Sequence, residues 1–172
     1  MDIDFKEALE KAKENKDIER SREEGYFLNS GTVIFKPEPQ GFDRWIITFY
    51  STKEEEVVQA IVKKDGEVEF KESEKAIDPT TEELDLDKVE ITAEEAIEKA
   101  KKEREEEQGE EGRIKQIILS IKKEEGEETW ETNLITSSFS LFQAKINAET
   151  GEITHASEES LIKGEGDLPF PQ

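Results

Sequence analysis

Two glycine turns constrain this chain more than any other feature. The stretches QAIVKKDGEVEF (Gln59–Phe70) and QAKINAETGEIT (Gln143–Thr154) each read as a strand, a Gly turn and a second strand. Asp-Gly and Thr-Gly between apolar runs signal a hairpin, because Gly accepts the positive φ that a tight turn needs. Trp45 stands 21 residues before Gly66, and Trp130 stands 21 residues before Gly151. Both glycines are followed by Glu and a β-branched residue, Glu67-Val68 and Glu152-Ile153. A Trp strand, a QA strand and a Gly-Glu strand thus occur twice in one order, which is what a duplicated unit would leave behind.

Each set follows a helix signal. In DFKEALEKAK, Phe5, Ala8, Leu9 and Ala12 recur at the spacing of one helical face; in TAEEAIEKAK, Ala93, Ala96, Ile97 and Ala100 do the same. Thr92 followed by Glu95 forms a capping box, and Asp4 with Glu7 offers the same start to the first helix. Strand runs follow, GTVIFKPEP through the turn-like QGFD to RWIITFY, and RIKQIILSIKK through EEGEE to TWETNLIT. Trp45, Ile47 and Phe49 alternate onto one face, as do Trp130, Thr132 and Leu134. The two Trp residues are expected as core anchors, since buried aromatics dominate small cores.

The expectation is therefore an α+β chain of two modules in tandem, each a helix followed by strands. The first module is placed at 1–78 and the second at 91–163, with an acidic linker at 79–90 broken by Pro79 and an extended tail at 164–172. Each module is small for an independent core, so the two are expected to share burial.

Chemistry finds little purchase. The chain has no Cys, which excludes disulfides, thiol nucleophiles and Cys-ligated metals, and it has a single histidine, His155. Ser137, Ser138 and Ser157 could partner His155, but none sits in a nucleophile-elbow pattern. No Gly-rich phosphate cradle occurs. The runs Glu105–Glu107 and Glu110-Glu111 read as solvated helix end and loop. Asp85, Asp87 and Glu90 alternate as oxygen donors and are weak calcium candidates, without the loop spacing of an EF-hand. No other cofactor is indicated. The net charge of −21 argues against nucleic acid and anionic membrane surfaces and favours a basic partner. No apolar run approaches a membrane span, and the opening residues do not read as a signal peptide, as for a cytosolic protein or a mature exported one.

The second half resembles a PepSY domain. The resemblance is carried by ITAEEAIEKAKK (Ile91–Lys102), the Trp130 strand and AKINAETGEIT (Ala144–Thr154), with Asn147 where an acid is frequent. The first half matches through Lys64-Asp65-Gly66-Glu67-Val68, without the Thr-Gly pair. The resemblance implies that each module is a helix packed on its own antiparallel sheet. It also implies an extracellular or cell-envelope location, no catalytic residues, and a regulatory or inhibitory role toward a peptidase or another envelope partner. It points to a non-enzymatic protein-binding module, with a sheet edge as one means of taking a partner strand. The alternative is a structural subunit of an extracellular filament built from copies of itself.

Overall fold

Phe5, Ala8, Leu9 and Ala12 lie along one side of α1 (Phe5–Glu14) and are all buried. The computed structural model describes residues 4–36, 41–75, 82–108 and 113–161. Asp4 precedes α1 in extended conformation, but its side chain makes no capping hydrogen bond. A second helix, α2 (Lys16–Glu23), starts where Asn15 Oδ1 accepts from the N–H groups of Asp17 and Ile18 at 2.9 and 3.2 Å. α2 buries only Ile18 and Ser21, so its apolar pattern is too sparse to announce a helix. Four strands follow: β1 (Phe27–Lys36), β2 (Gly41–Ser51), β3 (Glu56–Lys63) and β4 (Val68–Lys75). β2 already begins at Gly41, inside the expected QGFD turn.

Beyond a short 3₁₀ turn (Leu86–Lys88), α3 (Ala93–Gln108) opens on the expected capping box. The Glu95 N–H donates to Thr92 Oγ1 at 3.2 Å, and the Thr92 hydroxyl donates to Glu95 Oε1 at 3.3 Å. Four more strands follow among the described residues: β5 (Ile114–Glu124), β6 (Glu127–Thr136), β7 (Ser140–Asn147) and β8 (Ile153–Ser160). Pro79, Glu110, Glu111 and the 164–172 tail lie outside the described residues.

All eight strands form one antiparallel sheet in the order β4-β3-β2-β1-β5-β6-β7-β8. This overturns the expectation of two modules, each a helix on its own sheet. β1 and β5 pair at the centre over Ser30–Phe35 and Ile117–Lys122. Separate sheets would leave both strands as long apolar edges, with Val33, Leu119 and Ile121 beside unpaired backbone. Joining them leaves only β4 and β8 as edges.

The core is likewise single. Phe5 of α1 lies between the two Trp rings, 5.4 Å from Trp45 and 6.3 Å from Trp130, and the Trp rings are 6.4 Å apart. One buried cluster takes in α1, Ile18 of α2, α3 and the inner face of six strands. Gly31, on β1, is where Phe5 rests against the sheet. Arg104 adds a buried tie from α3 to the edge, its Nε 3.7 Å from Glu158 Oε1.

The described part of the expected linker is pinned to this body. The Leu84 N–H donates to the Leu28 carbonyl at 3.0 Å, and Glu90 and Ile91 both donate to the Ala148 carbonyl at 2.9 Å. Trp130 Nε1–H donates to the Ile91 carbonyl at 2.9 Å. Leu84 and Val89 are buried as a result.

Candidate functional site

This pinned segment forms one wall of a cleft of about 730 Å³, on the helix side of the sheet at the end carrying Phe27 and Lys123. That size suits a peptide segment or a small ligand. Lys13 comes from the last turn of α1, Arg22 from the last turn of α2 and Lys123 from β5. Glu83, Asp85 and Asp87 line the same cleft, with Phe27, Leu28 and Leu86 as apolar lining. Three cations from three distant segments meet here, in a chain with 24 basic and 45 acidic residues.

Local chemistry explains each wall. Gly25 turns the chain from α2 into β1 at φ +103°, a conformation that favours glycine. The Tyr26 N–H donates back to the Ser21 carbonyl at 3.1 Å, and its hydroxyl donates to Glu56 Oε2 at 3.4 Å. Phe27 packs edge-on against Tyr50, with centroids 5.8 Å apart. On the acidic wall, Asp85 Oδ1 caps the 3₁₀ turn by accepting from the Asp87 N–H at 3.0 Å.

Glu128 supports that wall from beneath. Its side chain is 1% exposed, and Oε2 accepts from the Asp85 N–H at 2.9 Å while lying 3.5 Å from Lys123 Nζ. One carboxylate oxygen thus holds together a backbone position and an ammonium that both line the cleft. Its Oε1 has no hydrogen-bond partner among the described residues. Buried acceptors are seldom left so, which makes Glu128 the most constrained charge near the cleft.

The calcium candidates divide. Asp85 and Asp87 come together on the cleft wall, Asp85 already engaged as a cap. Glu90 is exposed beyond the turn, where its backbone is tied to Ala148. Among the described residues, no group of three or more acidic or histidine side chains is gathered closely enough to hold a metal ion. Trp45 and Trp130 are fully buried core residues. Gly66 and Gly151 hold their turns at φ +92° and +80°, while Glu67 and Glu152 are exposed and shape the turns through their backbones. His155 is exposed on β8, opposite Lys145. Ser157 is its neighbour but one along β8, whereas Ser137 and Ser138 lie at the β6–β7 turn.

Lys13, Arg22, Tyr26, Lys123 and Glu128 carry no local motif, since each needs the fold to bring it to the site. The only sequence cue was the alternation of Leu and Asp in ELDLDK, which set leucines inward and carboxylates outward.

No family model and no curated protein matches the chain. Its fold is similar to the crystal structure of a putative lipoprotein from Clostridium difficile, with a TM-score of 0.60 and 13% identity over 92% of this chain and 94% of that one. Among the described residues, no helix is long and apolar enough to cross a membrane.

Proposed function

We propose that the protein is a non-catalytic binding protein of the cell envelope and that the cleft takes an extended segment of a partner polypeptide. The observation that carries this reading is the lining, which gathers Lys13, Arg22 and Lys123 with Glu83, Asp85 and Asp87 around apolar Phe27 and Leu86. Fixed groups of both signs orient a chain bearing both charges, and the apolar lining supplies contact area. The walls are preorganised by Glu128 and by the Leu84–Leu28 backbone bond, which lowers the entropic cost of binding. The envelope assignment draws on the similar fold of the putative lipoprotein. The PepSY resemblance of Ile91–Lys102 and Ala144–Thr154 adds a partner class, a peptidase held in check by occupation of this cleft.

Titration with synthetic extended peptides that alternate Leu with Lys and Asp, followed by fluorescence anisotropy, tests the cleft. Binding is expected to weaken by about tenfold or more in a Lys13→Glu, Arg22→Glu double variant. It should be unchanged in Lys53→Glu, on the exposed β2–β3 turn. Equal binding by all three proteins, or by none, rejects the cleft as a peptide site. Adding the chain to assays of secreted metallopeptidases tests the partner class separately, with slowed hydrolysis as the supporting result.

A further inference from the structure

The helices of the core cluster all pack on one face of the sheet, and among the described residues no helix covers the other. Strand register places Ile61, Ile46, Thr32 and Ser120 in one row across β3, β2, β1 and β5 of that open face. A second row runs from Ile34 on β1 through Ile118, Asn133 and Gln143 to Ser157 on β8. None of these nine side chains is charged, in a chain where 40% of residues are. Ile34, near the centre, is 41% exposed, Ile46 and Ile118 are half-buried, and Ile61 is buried.

Beyond Ser120 the first row runs on into Glu131 and Lys145, Glu131 accepting from Gln143 at 2.9 Å, and the charges that flank the two rows form pairs. Lys122 pairs with Glu131 at 3.0 Å and Lys145 with Glu124 at 2.6 Å. At the β2–β3 corner Arg44 and Lys63 stand opposite each other, Arg44 also reaching Asp43 at 2.9 Å. Glu159 lies on β8 at the same end of the sheet. Little of the molecule's negative charge lies on the helices: α1 and α2 each carry three acidic and three basic residues, and α3 carries seven and four.

We propose that this face is a homodimer interface, covered by the same face of a second copy about a two-fold axis parallel to the strands. Eight strands about 4.8 Å apart, with about eight residues each rising ~3.3 Å, present roughly 1,000 Å². A standard interface covers about 800 Å² per partner, so the area suffices. An axis running over β5 lays β2–β3 of one copy over β7–β8 of the other, so Arg44 and Lys63 approach the second copy's Glu159, and the overlap takes in every strand but β4, about seven-eighths of that area. Ile118 then lies on the axis and meets its own counterpart, and Ile34 meets the second copy's Asn133.

Self-repulsion does not forbid the arrangement. Packed sheets lie ~10 Å apart with each helix layer on the far side, so the helix layers, in which α3 alone is net acidic, sit roughly 30 Å apart. The Debye length is about 8 Å at physiological ionic strength, which screens charge over that distance. The cleft, on the helix side, stays open in the dimer.

Light scattering across a concentration series tests the proposal. The mass is expected to rise from 19.7 kDa to a plateau at twice that value. Ile34→Glu, a substitution at an exposed side chain, should hold the monomer mass throughout, with far-ultraviolet circular dichroism unchanged. If that variant does not fold, Thr32→Lys in the neighbouring row takes its place. Arg44→Glu and Glu159→Arg should each weaken the dimer, and the two together in one chain should restore it. A wild type that stays at 19.7 kDa, a mass that climbs past the dimer without a plateau, or a plateau unmoved by the folded interface variant overturns the proposal.

Discussion

Gly31→Ala tests the single core most directly. Gly31 lies on β1 between Ile47 of β2 and Ile121 of β5, at the centre of the sheet. A methyl carbon there would press into Cε1 of Phe5 and lie 2.9 and 3.2 Å from its Cδ1 and Cζ. The ring cannot easily retreat, since Trp45 and Trp130 pack against it and both are fully buried. Overpacking of this kind costs about 1–3 kcal/mol. Against that, Ala in place of Gly restricts the unfolded chain and returns about 0.4–1 kcal/mol. The net expectation is a loss of about 1–2 kcal/mol. Urea unfolding followed by Trp fluorescence reads it well, because both Trp rings border the affected ring. Phe5→Leu should cost less in the Gly31→Ala background than in the wild type, since the smaller side chain makes room for the methyl. The difference defines a coupling energy of about 1 kcal/mol. A Gly31→Ala protein as stable as wild type, or a Phe5→Leu cost equal in both backgrounds, refutes the packing argument.

Two charges support further expectations. Glu128→Ala leaves the Asp85 N–H and Lys123 without their shared carboxylate and should cost about 2–3 kcal/mol, below the full price of a broken buried pair because Lys123 is 19% exposed. Glu128→Gln keeps an acceptor for Asp85 and should cost about 1 kcal/mol, so denaturant midpoints should rank wild type, Gln, Ala. The hydrogen bond from Lys145 holds the Glu124 carboxyl below its usual range, and the same bond raises the Lys145 ammonium. For Glu124 the folded value is the lower one, so its stabilisation is full above the unfolded value and is lost as pH falls through the folded one. For Lys145 the stabilisation is full below the unfolded value and is lost as pH rises through the raised folded value. Melting temperatures measured against pH should therefore fall less steeply on the acid side in Glu124→Gln than in wild type.

Much of the fold was legible because its signals are local. The 3.6-residue spacing of Phe5, Ala8, Leu9 and Ala12, the Thr92–Glu95 box and the alternation around each Trp all survive in the structure. The placement of β1 beside β5 was not legible, since strand order depends on contacts between segments about 90 residues apart. Gly31 held a clue: a glycine in an otherwise β-branched strand, TVIF after SG, marks a place where another group must approach closely. Reading that group as Phe5, packed by Trp45 and Trp130 together, would have joined the two halves. α2 was missed because its eight residues bury only two side chains. The cleft was missed for a related reason, as its cations come from α1, α2 and β5 and share no spacing in the chain.

Charge distribution then carries the functional argument where motifs do not. A surface with 45 acidic and 24 basic residues has no need to clear any region of charge in order to stay soluble. Two regions nonetheless depart from the rest, the cleft by gathering three cations and the open sheet face by excluding charge from its centre. Stability alone does not require either departure. Exposed Ile34 could be polar at no cost to the core, since the helices pack on the other side of the sheet. Lys13 and Arg22 could likewise be spread over the acidic surface, where they would offset more repulsion than they do beside Lys123, which the buried Glu128 holds in place. Side chains placed against the interest of the isolated molecule are best explained by what approaches it. The two regions lie on opposite faces of the sheet, so a dimer formed through one leaves two outward-facing clefts to engage a partner through the other. Such a pair would bind a partner carrying two copies of the recognised segment more tightly than either cleft alone, provided the spacing of the segments matches.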